Sequence, residues 1–133
     1  MPGDFFDSNV LLYVASPRDF RADRAEKIIS GGGTVSVQVV NEVTYVARRK
    51  FAMDWAEIEQ FLGGMRAFVA VHDLTLATHA EAIRLAQTFR LAWYDALIVA
   101  AALLAGCDRL LTEDMHHGLV IDDSLRIENP FLG

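Results

Sequence analysis

The fold is decided by the stretch that spans residues 4–15, DFFDSNVLLYVA. Its two phenylalanines predict a short buried strand that ends at Asp7, and the apolar run from Asn9 onward predicts a helix. Strands that alternate with helices are typical of α/β proteins with a mostly parallel sheet. The stretch therefore indicates an α/β fold, and it places a carboxylate where the first strand ends.

The remaining sequence continues this alternation of strand-like and helix-like segments. Further strands are predicted at residues 34–37, 67–72 and 109–112, with one more strand or a hairpin from 119–121 and 125–127. Helices are predicted at residues 16–30, 38–49, 54–62, 76–90 and 94–105. No repeat or shift in composition divides the chain, so we expect residues 1–133 to form a single domain with a mostly parallel central sheet flanked by helices.

Some residues mark where these helices are expected to begin or end. Ser16 and Pro17 have the pattern of an N-cap followed by a proline in the first helical turn. Asp54 is expected to cap the helix that follows it, and the glycine pair at residues 63–64 is expected to close that helix.

The composition is that of an ordinary globular protein, with 53% hydrophobic and 23% charged residues. The longest apolar run, residues 96–105, is shorter than the roughly 18 residues of a membrane span, so it predicts a helix deep in the core. The N-terminus lacks the pattern of a secretory signal. Cys107 is the single cysteine, and this favours a reducing compartment. We therefore expect a cytoplasmic protein with no membrane partner.

The net charge of −6 argues against a protein that binds nucleic acid through a basic surface. This objection weakens if several of the acids bind divalent cations, because such ions reverse the local charge. An acidic balance also fits a basic segment of a partner protein, and composition does not choose between these interpretations.

Four acidic residues stand at or near junctions between predicted strands and helices, namely Asp7, Glu42, Asp95 and Asp114. The carboxyl ends of parallel strands lie along one edge of a sheet, where ligand crevices form. We therefore expect the four carboxylates to converge, although they are far apart in the chain. Each also has a structural interpretation, since the three aspartates fit helix caps or turns and the glutamate fits a solvated helix surface.

Convergence of these acids implies bound cations. Two like charges about 4 Å apart repel by roughly 4 kcal/mol at an effective dielectric constant near 20. Mg²⁺ and Mn²⁺ prefer oxygen ligands, whereas a set without histidine or cysteine argues against zinc. Such ions lower the pKa of a bound water and stabilise a leaving oxygen, which suits the hydrolysis of phosphodiesters.

Other polar and aromatic residues are weaker candidates for this site. Asn9, Ser36 and Thr112 lie close in sequence to the acids and are expected to orient ligands, although local turn chemistry is an alternative. The pair Trp93 and Tyr94 is able to stack on nucleic acid bases, but packing in the core is the stronger expectation.

Five ordered motifs of the sequence resemble a known family. They are FDSNVLLY at residues 6–13, SVQVVNEV at 36–43, WYDALIVAAA at 93–102, LTEDMHHG at 111–118 and NPF at 129–131. In order, spacing and total length they resemble PIN-domain ribonucleases, and in particular the VapC-type toxins of bacterial toxin–antitoxin pairs. The resemblance covers essentially the whole chain.

This resemblance implies a PIN-like three-layer sandwich and a metal-dependent endoribonuclease toxin, with RNA as the substrate and a cognate antitoxin that covers the acidic pocket. Asp7, Glu42, Asp95 and Asp114 match the catalytic acids of the family, and Asp7 and Asp95 are the surest ligands of Mg²⁺ or Mn²⁺. Members of the family commonly dimerise, so the resemblance also implies a homodimer.

The chain departs from the family just after Asp114, where many members carry a further acid or aromatic residue and this chain has MHHG. The departure leaves open whether Glu113 or Asp114 faces the metal. Asp114 is favoured, with Glu113 as the alternative.

Two alternatives from other functional classes remain open. A phosphatase of the haloacid-dehalogenase kind would use Asp7 as a nucleophile, but it needs a second aspartate two residues later, where this chain has Asn9. A non-catalytic regulatory module with an acidic pocket would need a lysine near the end of a late strand, and the only lysines are Lys27 and Lys50.

Overall fold

The computed structural model describes residues 3–132 and contains one six-stranded sheet with six helices. The strands are β1 (Asp4–Phe6), β2 (Gly33–Ser36), β3 (Val69–His72), β4 (Arg109–Leu111), β5 (Val120–Ile121) and β6 (Leu125–Glu128). The helices are α1 (Ser8–Val14), α2 (Arg21–Ser30), α3 (Val37–Arg49), α4 (Trp55–Met65), α5 (Leu76–Phe89) and α6 (Trp93–Leu104). Residues 1, 2 and 133 lie outside the described part, so the bounds of the single domain stay a prediction.

The order of the strands across the sheet is β3-β2-β1-β4-β6-β5. All neighbours are parallel except β5, which forms an antiparallel hairpin with β6. The chain moves outward from β1 to β3 and then returns to place β4 on the other side of β1. This reversal is a topological switch point, and in open α/β sheets the ligand crevice lies at the carboxyl ends of the strands beside it.

The helices cover both faces of the sheet. Connections between parallel strands are right-handed, so the reversal of direction after β3 places α1 to α4 on one face and α5 and α6 on the other. Contacts agree with this division, since α1 packs on α2 and α3, whereas α5 packs mainly on α6. The α/β fold class with a mostly parallel sheet flanked by helices is therefore confirmed.

The core lies between the sheet and these helices. Phe5 and Phe6 of β1 are fully buried, and α6 contributes a continuous buried run at residues 98–102. Gly33 allows β2 to approach β1 closely, because a Cβ at this position would lie 2.5 Å from the Phe6 ring and 2.9 Å from the Asp4 carbonyl oxygen. Within residues 3–132, no helix is long and apolar enough to cross a membrane.

Two helix boundaries differ from the sequence prediction. Helix α2 begins at Arg21 rather than near Pro17, because Ser16 completes the end of α1 by donating from its hydroxyl to the Leu12 carbonyl. Helix α4 continues through the glycine pair to Met65, whose side chain is buried. We attribute this extension to the packing of Met65, which outweighs the cost of about 1 kcal/mol that each glycine adds to a helix.

Candidate functional site

The four predicted acids reach the same edge of the sheet from four different segments. Asp7 directly follows β1, and Asp114 lies in the loop after β4, so both stand beside the topological switch point. Glu42 projects from the second turn of α3, and Asp95 stands in the first turn of α6. The charges of Glu42 and Asp114 act on both Asp7 and Asp95, so the structure brings the four carboxylates into one cluster.

Asp7 is the most buried member of this acid cluster, with 5% of its surface exposed. As the N-cap of α1 it accepts a hydrogen bond from the backbone amide of Ser8 at 2.7 Å, and it accepts another from the Thr112 hydroxyl at 2.7 Å. Burial raises the pKa of Asp7 to about 6, and the charges of Glu42 and Asp114 add to the rise. The two hydrogen bonds oppose it, because they stabilise the ionised form.

Asn9 and Thr112 join Asp7 to Asp114. The Asn9 side-chain amide donates to Asp114 Oδ2 and to Thr112 Oγ1, both at 3.1 Å. The Thr112 hydroxyl donates its only proton to Asp7 and accepts from Asn9 and from the Asp114 backbone amide, so its hydrogen-bonding capacity is fully used. This network holds the two carboxylates in fixed relative positions.

Glu42 is held by two side chains that the sequence analysis did not select. The Ser8 hydroxyl donates to Glu42 Oε2 at 2.9 Å, and the Gln38 amide donates to Glu42 Oε1 at 3.0 Å. Gln38 precedes Glu42 by four residues on α3, a spacing that places two side chains on the same helix face. That spacing is the signal that could have identified Gln38, whereas the contact with Ser8 depends on the packing of α1 against α3.

Asp95 differs from the other three acids in having no fixed partner. The N-cap of α6 is Ala92, so Asp95 does not serve as the N-cap of this helix. Within residues 3–132, no side chain or backbone amide donates a hydrogen bond to its carboxylate. Burial raises the pKa of Asp95, and the negative charges of Asp114 and Glu42 raise it further.

Glu113 and Asp114 face different surroundings, although they are adjacent in the chain. Glu113 accepts a hydrogen bond from the Tyr13 hydroxyl and forms an ion pair of 3.3 Å with Arg21. Asp114 instead faces Asn9 and the acid cluster. The geometry therefore favours Asp114 as the cluster member and gives Glu113 a separate ionic network.

Ser36 has the local structural role, and the aromatic pair at the start of α6 is more exposed than expected. Ser36 is fully buried and caps α3 by accepting from the Val39 backbone amide, which is the local alternative considered above. Trp93 and Tyr94 are 38% and 67% exposed, so the expectation that both pack in the core is wrong. They lie in the first turn of α6, before its buried section begins.

The chemistry of the cluster fits a hard divalent cation. Its donors are all oxygens, and burial and mutual repulsion raise the pKa of two of them, so the cluster favours uptake of positive charge. Within the described residues, no three acidic, histidine or cysteine side chains stand close enough together to ligate one metal ion. The four carboxylates therefore share one edge of the sheet without forming a preassembled set of metal ligands.

Solved structures with the same fold come from bacterial toxin–antitoxin proteins. A toxin–antitoxin complex from Klebsiella pneumoniae is 18% identical, with a TM-score of 0.73 over 97% of this chain and 98% of that chain. VapBC2 from Rickettsia felis, bound to a DNA fragment from its promoter, is 15% identical, with a TM-score of 0.69 over 95% and 97% of the two chains. VapC20 from Mycobacterium tuberculosis, a sarcin–ricin loop cleaving toxin, is 15% identical, with a TM-score of 0.67 over 81% and 87%.

Sequence comparisons address the family more directly. Comparison with curated proteins finds no match. A family model for the PIN domain matches residues 5–118, a span that includes all four acids of the cluster. This match confirms the resemblance of the ordered motifs, and it covers most of the sequence, so the chain belongs to the PIN domain family.

Proposed function

We propose that this chain is a metal-dependent endoribonuclease toxin that hydrolyses RNA phosphodiester bonds and is inhibited by a cognate antitoxin protein. The observation that carries the proposal is the gathering of Asp7, Glu42, Asp95 and Asp114 at one edge of a parallel sheet. Membership of the PIN domain family supports it. The names of two structural neighbours also support it, one as a sarcin–ricin loop cleaving toxin and one as a toxin–antitoxin complex.

Mg²⁺ or Mn²⁺ is the cofactor that we propose for the acid cluster. Asp7 and Asp95 are the principal ligands, and Glu42 and Asp114 complete the set of oxygen donors. A bound ion supplies a water of lowered pKa and positive charge at the leaving oxygen of the phosphodiester. We expect the carboxylates to move closer together when positive charge relieves their repulsion.

The chain's own residues prepare three of the four ligands for this role. Thr112 and the Ser8 amide hold Asp7, Asn9 holds Asp114, and Ser8 with Gln38 holds Glu42. Ligands that are fixed before binding lose little conformational entropy when an ion arrives. Asp95 has no such partner, so its side chain is the one that adapts to the ion and to the substrate.

Neither alternative from the sequence is favoured by a specific observation. A phosphatase would need an acid or base at position 9, but the amide of Asn9 donates to Asp114 and Thr112.

For the proposed toxin, a basic segment of the antitoxin would complement the acid cluster. We further propose a homodimer in the cytoplasm, as the family resemblance and the single reduced cysteine suggest.

Cleavage of RNA by the purified protein tests the proposed activity. Single-stranded RNA is incubated with the protein in Mg²⁺, in Mn²⁺ or in EDTA, and the products are resolved on a denaturing gel. We expect internal cleavage with either ion, none in EDTA, and none by Asp7→Asn. Cleavage that survives EDTA or the substitution would contradict the proposal, and turnover of p-nitrophenyl phosphate without RNA cleavage would favour the phosphatase.

Asp108→Asn is the matched control for this experiment. Asp108 is an exposed aspartate just before β4, at the opposite edge of the sheet from the acid cluster. The same chemical change there should leave cleavage unchanged. The antitoxin is tested by adding the product of a small open reading frame next to the gene, which should form a stable complex and abolish cleavage.

A further inference from the structure

A cavity of about 810 Å³ opens beside the acid cluster between α3 and α6. It is lined by Glu42 of the cluster and by Ser8, which holds Glu42, so a ligand in it would lie next to the proposed cleavage site. Its lining also includes Gln38, Asn41, Tyr45 and Tyr94. Its volume falls within the range of roughly 300 to 1,000 Å³ that is usual for pockets that bind small organic groups.

Two exposed tyrosines line this α3/α6 cavity. Tyr45 is 62% exposed and Tyr94 is 67% exposed. Aromatic rings left in water forgo the hydrophobic stabilisation that burial provides. In proteins that bind single-stranded nucleic acid, exposed aromatic rings serve as surfaces on which unstacked bases pack.

Gln38 adds a polar group with an unmet hydrogen-bonding requirement. Its amide nitrogen donates to Glu42 Oε1 at 3.0 Å and to the Tyr94 carbonyl at 3.2 Å. Both partners only accept, so the orientation of the amide is fixed, and Gln38 Oε1 is buried without a partner among residues 3–132. Gln38 lines the cavity, so a ligand donor that reached this buried oxygen would satisfy it.

The distribution of charge favours a base rather than a phosphate in the cavity. Its inner end is negative because Glu42 and the acid cluster lie there, so it repels phosphate and attracts N–H groups. Positive charge stands further along α3, where the Arg49 guanidinium lies 5.9 Å from the centre of the Tyr45 ring and the Arg48 guanidinium 4.8 Å from that of Trp55. Positions 41, 45 and 48 share one face of the helix. An RNA strand with a base in the cavity would therefore pass along this face, where Arg48 supplies positive charge for its phosphates.

We propose that the α3/α6 cavity binds an unstacked base of the RNA substrate, next to the phosphodiester that is cut. The base stacks on Tyr45 and Tyr94 and directs an N–H group toward Gln38. The inference rests on the proposed function and adds to it a binding site for one base of the substrate.

The test uses an RNA oligonucleotide with one mapped cleavage site, in which each flanking nucleotide is replaced in turn by an abasic one. With the wild-type protein, one such replacement should lower kcat/KM by about 5- to 150-fold, the loss that corresponds to one stacked base. Tyr94→Ala should lower kcat/KM on the intact RNA by a similar factor and should reduce the penalty of the same abasic replacement, because only Tyr45 is left to stack on the base. Tyr94→Phe, which keeps the ring, should retain both the rate and the sensitivity.

Phe68→Ala is the matched control, because Phe68 is 50% exposed but lies before β3 at the opposite edge of the sheet. It should behave as wild type. Binding of the same RNA is also measured by fluorescence anisotropy in an Asp7→Asn background, where adding Tyr94→Ala should raise Kd by the same factor. Circular dichroism checks that each variant is folded.

The outcomes separate this inference from the proposed function. If the wild-type protein cleaves no RNA with Mg²⁺ or Mn²⁺, the proposed function fails and the base site fails with it. If it cleaves RNA and Tyr94→Ala keeps the full abasic penalty, only the base site is overturned. It is also overturned if Tyr45→Ala and Tyr94→Ala change the oligomeric state and leave the abasic penalty intact, since the cavity is then a contact between proteins.

Discussion

Asp4, at the amino edge of the sheet, and the acid cluster, at its carboxyl edge, differ in their counter-charges. Asp4 is paired with Arg109 through two hydrogen bonds of 2.8 Å, and the side chain of Glu128, the last residue of β6, reaches the same guanidinium at 3.3 Å. At the carboxyl edge, no arginine or lysine within residues 3–132 forms an ion pair with any member of the acid cluster. Acids that support the fold carry their own counter-charges, whereas the acid cluster lacks them and is therefore suited to an external cation.

The lack of counter-charges at the acid cluster lowers the stability of the metal-free protein and leaves the site ready to bind a cation. Burial and like charges raise the pKa of Asp7 and of Asp95, so the metal-free cluster opposes its own ionisation. The Asp4–Arg109 pair at the amino edge shows the reverse, since the hydrogen bond with Asp4 raises the pKa of Arg109 and favours its charged form. Substitutions at the two edges should therefore have opposite effects.

The largest effect is expected for Asp95→Asn in the RNA cleavage assay. Loss of a principal metal ligand should lower the rate about a thousandfold, equivalent to roughly 4 kcal/mol of transition-state stabilisation. Because the substitution also removes repulsion, the metal-free variant should fold normally and unfold at the same or higher urea concentration than wild type. A rate within tenfold of wild type, or a circular dichroism spectrum of a molten state, would contradict this expectation.

The next effect concerns the pH dependence of stability. The folded pKa of Asp7 of about 6 exceeds its ordinary value of 3.8, so the folded state binds the proton more tightly. Stability of the metal-free protein should thus fall as pH rises from about 4 to 6, by on the order of 3 kcal/mol. Asp7→Asn should remove this loss and be more stable at pH 7.

Urea unfolding in EDTA across this pH range measures the effect. Asp108→Asn, an exposed aspartate at the amino edge, should keep the slope of the wild-type protein. Parallel curves for Asp7→Asn and wild type would show that the charge of Asp7 does not cause the loss.

A smaller effect is expected for Thr112→Val, which keeps the shape of the side chain and removes its hydroxyl. The substitution leaves Asp7 and Asn9 each without one buried partner, so the free energy of unfolding should drop by about 1–3 kcal/mol. The pKa of Asp7 should rise further, because the hydrogen bond from Thr112 lowers it. Thr44→Val is the control, since the Thr44 hydroxyl bonds only to the Val40 carbonyl within its own helix. An equal loss for both variants would argue against the network.

The smallest effect is expected for the Asp4–Arg109 ion pair at the amino edge. Asp4→Asn should destabilise the protein by no more than about 1 kcal/mol, because its ion pair with Arg109 is partly exposed to solvent. The loss should shrink in 1 M NaCl, where charges are screened. RNA cleavage should be unchanged, and a large loss of cleavage would mean that the two edges are not independent.

The sequence was sufficient to predict the class of the fold and the neighbourhood of the cluster. Alternating strands and helices are local patterns, and the position of Asp7 at the end of β1 follows from the apolar residues just before it. The prediction that four separated acids meet needs only the rule that parallel strands share one carboxyl edge. Their roles as metal ligands stay a prediction until metal binding is measured.

Other features could not be predicted because they depend on contacts between distant segments. The buried Met65 extends α4 past two glycines, and the first turn of α6 leaves Tyr94 in solvent beside α3. A hydrophobic pattern shows that a residue is apolar or aromatic. It does not show whether distant segments of the chain pack over that residue in the folded protein.

Residue order alone therefore determined the α/β alternation and the acids at the strand ends, because both arise from interactions over a few residues. Only the packed structure decided which of Glu113 and Asp114 joins the cluster, since Tyr13 and Arg21 bind Glu113, whereas Asn9 binds Asp114. It likewise decided that Ser8 and Gln38 hold Glu42. The physical reason is that such hydrogen bonds join segments whose relative positions are set by the core as a whole.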